Sequence, residues 1–242
     1  MKALRASIIA VIAAAFAAEA GAFTMEPMTA LLAPTGAGSV ATFRIRNDGA
    51  ERVAVRIKVL SRGLSASGEE TNSPADELFS VYPARVVVEP GSQAAVKAQW
   101  RGPAALGSER SFRLVAEEVP LDSRTSGERA SGIKVAFRYV ASLYVGEARF
   151  APALVATVEG AKGPLGDTGL IVEIRNEGTR HVIALDARVE VDGLQSSLTA
   201  QELGALSGAN YLPGTGRRTF VPRPDAEAGR RYEAHVAFEG VY

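Results

Sequence analysis

Ile133-Lys-Val-Ala-Phe-Arg-Tyr-Val-Ala-Ser-Leu-Tyr-Val145 decides how this chain is read. Every odd position, from Ile133 through Val135, Phe137, Tyr139, Ala141 and Leu143 to Val145, is apolar or aromatic. Alternation with period two means a β-strand with one apolar face. Ordinary strands run about 3–10 residues with a mode near 5 or 6, so thirteen residues of continuous apolar face exceed what a single sheet usually needs. Either the strand is a long core strand of a sandwich or part of it serves another protein, and period two by itself does not choose the face.

Working outward, the chain begins with Lys2 and Arg5, runs through an apolar stretch from Ile8 to Ala18 and reaches Ala20-Gly21-Ala22 before Phe23. This is the pattern of a secretory signal peptide over residues 1–22, and it predicts an exported, periplasmic protein. The apolar run falls short of the roughly 20 residues a membrane span requires, and no membrane insertion is expected. The 27 basic and 27 acidic residues balance, which argues against nucleic acid as a partner. The chain has no cysteine, so its stability must come from cores large enough to need no disulfide.

A weak internal repeat sets the domain count. Phe43-Arg-Ile-Arg-Asn-Asp-Gly49 recurs as Val172-Glu-Ile-Arg-Asn-Glu-Gly178, each followed by another alternating segment, Val53 to Val59 and Val182 to Val191. Pro90-Gly91-Ser92 and Pro213-Gly214-Thr215 match in the same order. Turn residues that tolerate positive φ, between alternating runs, read as strand corners. The chain is therefore predicted to be all-β, two immunoglobulin-like β-sandwich domains in tandem, over residues 23–146 and 147–242, with the boundary near Gly146 to Pro152.

Little in the sequence suggests an enzyme. There is no cysteine nucleophile, no Gly-x-Ser-x-Gly elbow and no phosphate loop. Of the two histidines, His181 sits beside the second hairpin turn and is expected to be exposed. His235, with Glu233 and Glu239 nearby, reads as a solvated strand face and lacks recognisable metal-ligand spacing. No catalytic residue, metal or cofactor is expected.

Glu109-Arg-Ser-Phe-Arg-Leu-Val-Ala-Glu-Glu-Val-Pro120, a loop of about a dozen residues and then the long strand resemble the periplasmic pilus (fimbrial) assembly chaperones of the chaperone-usher pathway. Pro83-Ala-Arg-Val-Val-Val-Glu-Pro-Gly91 and Leu212-Pro-Gly-Thr-Gly-Arg-Arg-Thr-Phe220 fit the same resemblance, which covers nearly all of the chain beyond residue 22. It implies donor-strand complementation. The chaperone would lend its long strand to a pilus subunit that lacks the last strand of its own sandwich, then deliver the subunit to an outer-membrane usher. Main-chain hydrogen bonds would give affinity and alternate side chains would set register. The resemblance places Ile133, Val135, Phe137 and Tyr139 as the inserting, subunit-binding residues.

The family also anchors the subunit's terminal carboxylate with an arginine near the mature N-terminus and a lysine on the long strand. Here Ala30 and Ser142 stand at those positions, two departures that suggest a divergent branch. Arg113 and Arg138 are the nearest guanidinium candidates for the carboxylate anchor, because their strands should pair antiparallel; both also fit plain solvated face charges. An unoccupied donor edge further allows self-capping dimers. The alternative reading is a secreted structural or adhesive surface protein built of immunoglobulin-like domains.

Overall fold

A computed structural model describes residues 23–120, 136–163, 165–194 and 196–241. The signal-peptide segment, residues 1–22, lies outside the described residues.

Among the described residues the first sandwich holds ten strands: β1 (Phe23–Glu26), β2 (Thr29–Leu32), β3 (Val40–Asn47), β4 (Val53–Leu64), β5 (Glu70–Pro74), β6 (Phe79–Tyr82), β7 (Arg85–Val88), β8 (Gln93–Trp100), β9 (Arg110–Val119) and β10 (Arg138–Val145). One sheet has the order β1-β3-β8-β6, the other β2-β10-β9-β4-β5, with β7 also on β4. The chain changes sheets between β1, antiparallel to β3, and β2, parallel to β10. Alternation drives this layering. In β3, Phe43 and Ile45 are buried while Arg44 and Arg46 are exposed; in β8, Val96, Ala98 and Trp100 turn inward. Phe79, Trp100 and Phe112 meet at the core's centre with ring centroids 5.0–5.6 Å apart, and burying each such side chain is worth about 1.5–3 kcal/mol.

The second sandwich follows from β11 (Leu154–Lys162), β12 (Thr168–Asn176), β13 (Val182–Val191), a one-turn helix α1 (Ala200–Leu203), β14 (Asn210–Tyr211), β15 (Gly216–Pro222), β16 (Arg231–Tyr232) and β17 (Ala234–Val241). Its sheets run β15-β12-β11-β16 and β14-β13-β17 around a separate core that includes Leu170, Val172, Ile174, Val189 and Tyr211.

The sequence repeat is one structural corner built twice. Asn47 Nδ2 donates to the carbonyls of Glu51 and Val88 at 2.7 and 3.0 Å, and its Oδ1 accepts from Gly49 N–H at 2.9 Å. Asn176 Nδ2 donates to the carbonyls of Arg180 and Tyr211 at 2.8 and 3.1 Å, and its Oδ1 accepts from Gly178 N–H at 3.0 Å. The Pro-Gly repeats dock on the same asparagines: Gly91 N–H donates to Asn47 O and Gly214 N–H to Asn176 O. Both asparagines are fully buried, which is tolerable because each amide is satisfied by backbone.

Candidate functional site

The expected long strand begins, as strand, at Arg138. Ala136 and Phe137 precede it without strand pairing of their own, and residues 121–135, hence Ile133 and Val135, lie outside the described residues. Phe137 still touches β9, where Glu118 N–H donates to its carbonyl at 2.9 Å and its own N–H donates to Glu118 Oε2 at 3.1 Å.

β10 has a covered half and an open half. Along one side it pairs antiparallel with β9 over its whole length, Arg138 opposite Glu117 through Val145 opposite Arg110. Along the other, β2 covers only Ser142 to Val145. Arg138 to Ala141 therefore present a free backbone edge among the described residues, and unpaired edges invite strand addition. The odd side chains grade in the same direction: Ala141, Leu143 and Val145 are completely buried, while Tyr139 and Phe137 are half-buried at the margin of the first core. The Tyr139 ring lies 4.9 Å from that of Phe23. Parity puts Phe137 and Tyr139 on the face that, further along, fills the chain's own sandwich.

On the opposite face, Arg113 of β9 stands directly across from Ser142 of β10, and its Nη1 donates to Ser142 Oγ at 2.6 Å. Its Nε donates to Glu70 Oε1 at 2.8 Å and its Nη2 to Glu70 Oε2. Arg62 of β4 reaches the same carboxylate, Nε to Oε2 at 2.8 Å. The Arg113 guanidinium, ahead of the weaker contributions of Asn72 and Arg62, holds the Glu70 carboxyl down at about 2, against the opposing effect of its own burial. Ala30 is paired with Leu143 and packs against the first core, on the face opposite Arg113, whose guanidinium lies beside Ser142.

Arg138 lies apart from this cluster. It is exposed, opposite Glu117, and four residues before Ser142 on β10, about 13 Å along a strand. Glu117 itself bonds Arg56 and Lys58, and Arg56 leads in holding it down at about 2. The two arginines named from sequence are thus not brought to one place.

His181 is not exposed. Its side chain retains 5% of its exposure and that of Glu109 only 1%, with Nδ1 and Oε1 2.6 Å apart. The same Glu109 Oε1 accepts from His181 N–H at 3.1 Å, and Glu109 N–H donates to Thr179 O at 2.8 Å. Tyr144 of β10 stacks on the imidazole, centroids 3.6 Å apart and planes within 5°. Its hydroxyl accepts from Arg62 Nη1 and from Asn210 Nδ2, each at 3.1 Å. The second hairpin turn is therefore buried against the first sandwich. A turn residue reads as solvated only when no second domain covers it, and no local signal marked this cover.

His235 and Glu233 do face solvent, on an open groove of about 660 Å³ in the second sandwich shared with Glu159, Glu173, Arg218 and Arg231. Among the described residues no group of three His, Cys, Asp or Glu side chains is placed to hold a metal ion, and no helix is long and apolar enough to cross a membrane.

Residues 27–145, which span β2 to the last residue of β10, match the family model described as the pili and flagellar-assembly chaperone, PapD N-terminal domain. The chain belongs to the pilus-assembly chaperone family. That family is a class of chaperones, not of enzymes. Solved structures repeat the fold across both sandwiches. The chain is similar to the CsuC–CsuE chaperone–tip adhesion subunit pre-assembly complex from archaic chaperone-usher Csu pili of Acinetobacter baumannii, at 14% identity and a TM-score of 0.59, covering 89% of this chain and 97% of that one. It is similar to the class 5 fimbriae chaperone CfaA at 15% identity and a TM-score of 0.58, covering 90% and 99%. A chaperone–tip adhesin complex of CFA/I fimbriae biogenesis matches at 14% and 0.58, covering 90% and 98%. At these identities the likeness carries the fold. No curated protein matches the chain in sequence.

Proposed function

We propose that the chain is a periplasmic chaperone that captures pilus subunits by donor-strand complementation and hands them to an outer-membrane usher, with domains over residues 23–146 and 147–242. The free edge of β10 from Arg138 to Ala141, bordered by the half-buried Phe137 and Tyr139, carries this reading. A subunit strand added there would gain main-chain hydrogen bonds. Ile133, Val135, Phe137 and Tyr139 share one parity and would fill its incomplete core.

The start of β2 gives the added strand a natural end. Met28 O already takes the N–H of Ser142 and Thr29 pairs with it, so a subunit strand running parallel to β10 must stop beside Ser142. Its terminal carboxylate would then emerge near Arg113. Charge-assisted, fork-shaped recognition of a carboxylate suits that guanidinium. Arg113 is the better placed anchor, and Arg138, on the open half, is the alternative. The same edge would also let two copies cap one another.

The test is to express the tagged chain in its native periplasm and identify by mass spectrometry what co-purifies at one-to-one stoichiometry. A small secreted β-rich subunit is expected with the native sequence and is lost with Val135→Asp. A lone protein or a ladder of its own multimers would overturn the reading. Phe137 and Tyr139 also touch the chain's own core, and thermal unfolding should confirm that Val135→Asp and Ile133→Asp remain folded.

A further inference from the structure

Two arginines share one carboxylate on the outer face of the first sandwich. The Arg62 side chain keeps 7% of its exposure and Arg113 keeps 18%, while Glu70 between them keeps 26%. Two guanidinium groups here share one carboxylate in a partly buried cluster, and half-buried charge is costly unless paired. The remaining contacts are neutral: Ser142 Oγ and Tyr144 OH receive Arg113 Nη1 and Arg62 Nη1.

The three charges are not equally held. Arg113 sits on β9 in the middle of the sheet, with strands on both sides, and is tied to Ser142 on β10; Arg62 on β4 is tied to Tyr144. Glu70 opens β5, which pairs only with β4 among the described residues, and follows the 65–69 turn directly. It is the most exposed of the three and the one whose strand can most easily release it. We propose that Arg62 and Arg113 form a carboxylate site held shut by Glu70, which stands in for a partner's terminal carboxylate and is exchanged for it when that partner docks along β10.

This deepens the subunit-capture reading and rests on it for the partner's identity. Exchange conserves the number of charges in the cleft, so a carboxylate-ended strand replaces Glu70 without leaving an unpaired guanidinium. An amide-ended strand cannot. Glu70 keeps the two arginines pre-aligned, which removes part of the ordering cost of capture, at the expense of competing for them.

Glu70→Gln preserves shape and hydrogen bonding and removes the competing charge; Glu70→Ala is the second variant should the first prove unstable. Acetate is titrated into the wild type and the variant while the Arg62 and Arg113 Nε–H resonances are followed by NMR. In parallel, a synthetic peptide of alternating valine and threonine, with a free C-terminal carboxylate or as its amide, is titrated by fluorescence anisotropy. The variant should bind acetate and the carboxylate peptide roughly tenfold more tightly than wild type, the scale of one competing charge pair. Amide binding should not change, and Arg113→Ala should abolish the preference for carboxylate. Equal acetate titrations in wild type and variant would overturn the stand-in. A positive acetate arm in which neither peptide binds would keep the stand-in and remove subunit capture as its use.

Discussion

The two asparagine corners are the same device in two settings. Each buries an asparagine that satisfies two backbone carbonyls and caps the following Gly N–H, and each receives a Pro-Gly turn from later in its domain. The first corner faces water: Asp48, Ala50, Glu51 and Arg52 are all exposed. The second is built into the joint between the sandwiches. Ala153 N–H donates to Asn176 Oδ1 at 3.1 Å, Ala151 O accepts from Thr179 and Arg180, and Thr179 O accepts from Glu109 of the first sandwich. Five residues after each asparagine stand Arg52, exposed, and His181, buried. A duplicated motif thus holds one domain together in the first copy, and in the second also fixes the linker and the neighbouring domain.

Removing the asparagines separates those two duties. Asn176→Ala removes four hydrogen bonds, to Gly178 N–H, Ala153 N–H and two carbonyls, and Asn47→Ala removes three; at roughly 0.5–1.5 kcal/mol net per bond they should cost about 2–6 and about 1.5–4.5 kcal/mol. Trp100, the single tryptophan, is in the first core, so its fluorescence reports that domain while far-ultraviolet circular dichroism reports both. Asn47→Ala should lower the Trp100 transition. Equal losses from the two variants would show that the linker bond contributes nothing.

His181→Ala breaks the comparison at its most divergent position. It leaves the Glu109 carboxylate buried beside an apolar space, a change that typically costs about 3–5 kcal/mol, and it should uncouple the two unfolding transitions. Arg52→Ala, at the matching place in the first corner, should shift stability by less than about 0.5 kcal/mol. Similar effects at the two positions would mean that the joint does not depend on this pair.

Gly178→Ala tests how tightly the linker is threaded. A Cβ there would lie 2.3 Å from Ala153 N and 2.4 Å from Ala151 O, backbone atoms that cannot step aside as a side chain could. The variant should loosen the joint and raise proteolysis at residues 146–153, and unchanged cleavage would argue that the linker is free of the corner.

Acid acts on both domains more gently, in the second through Glu202, which the Thr199 backbone N–H and Arg223 hold below its ordinary value. Glu70 and Glu117, both in the first sandwich, are held near 2 by Arg113 and Arg56 respectively, below the ordinary 4.5. A depressed folded-state pKa contributes stability that is complete above the unfolded value and is lost as pH falls through the folded one. The Trp100 transition should therefore weaken between about pH 4.5 and 2, by less in Glu70→Gln than in wild type. Both carboxylates are close enough to solvent for salt to blunt the effect.

Much of this architecture was legible in the residues. Alternation in Phe43 to Asn47, Val53 to Val59, Val172 to Asn176 and Val182 to Val191 predicted strands, because one face of each must leave water. The paired asparagines and Pro-Gly turns predicted two like domains. The antiparallel pairing of β9 with β10 was expected, but not the register that sets Arg113 against Ser142 and away from Arg138. What could not be read there was which groups two separate segments would share. Glu70 meets Arg113 across 43 residues, and Glu109 meets His181 across 72.

By itself the sequence determined that this chain is all-β, duplicated, and furnished with a period-two apolar run that ends in strand β10, because hydrophobic period and turn chemistry are local properties. Only the tertiary structure decided that β2 covers half of that strand and leaves Arg138 to Ala141 open, that Glu70 sits between two arginines, and that one of two like corners is buried in the domain joint. Those are matters of register and docking, in which a side chain's surroundings come from residues far along the chain, and no local pattern encodes them.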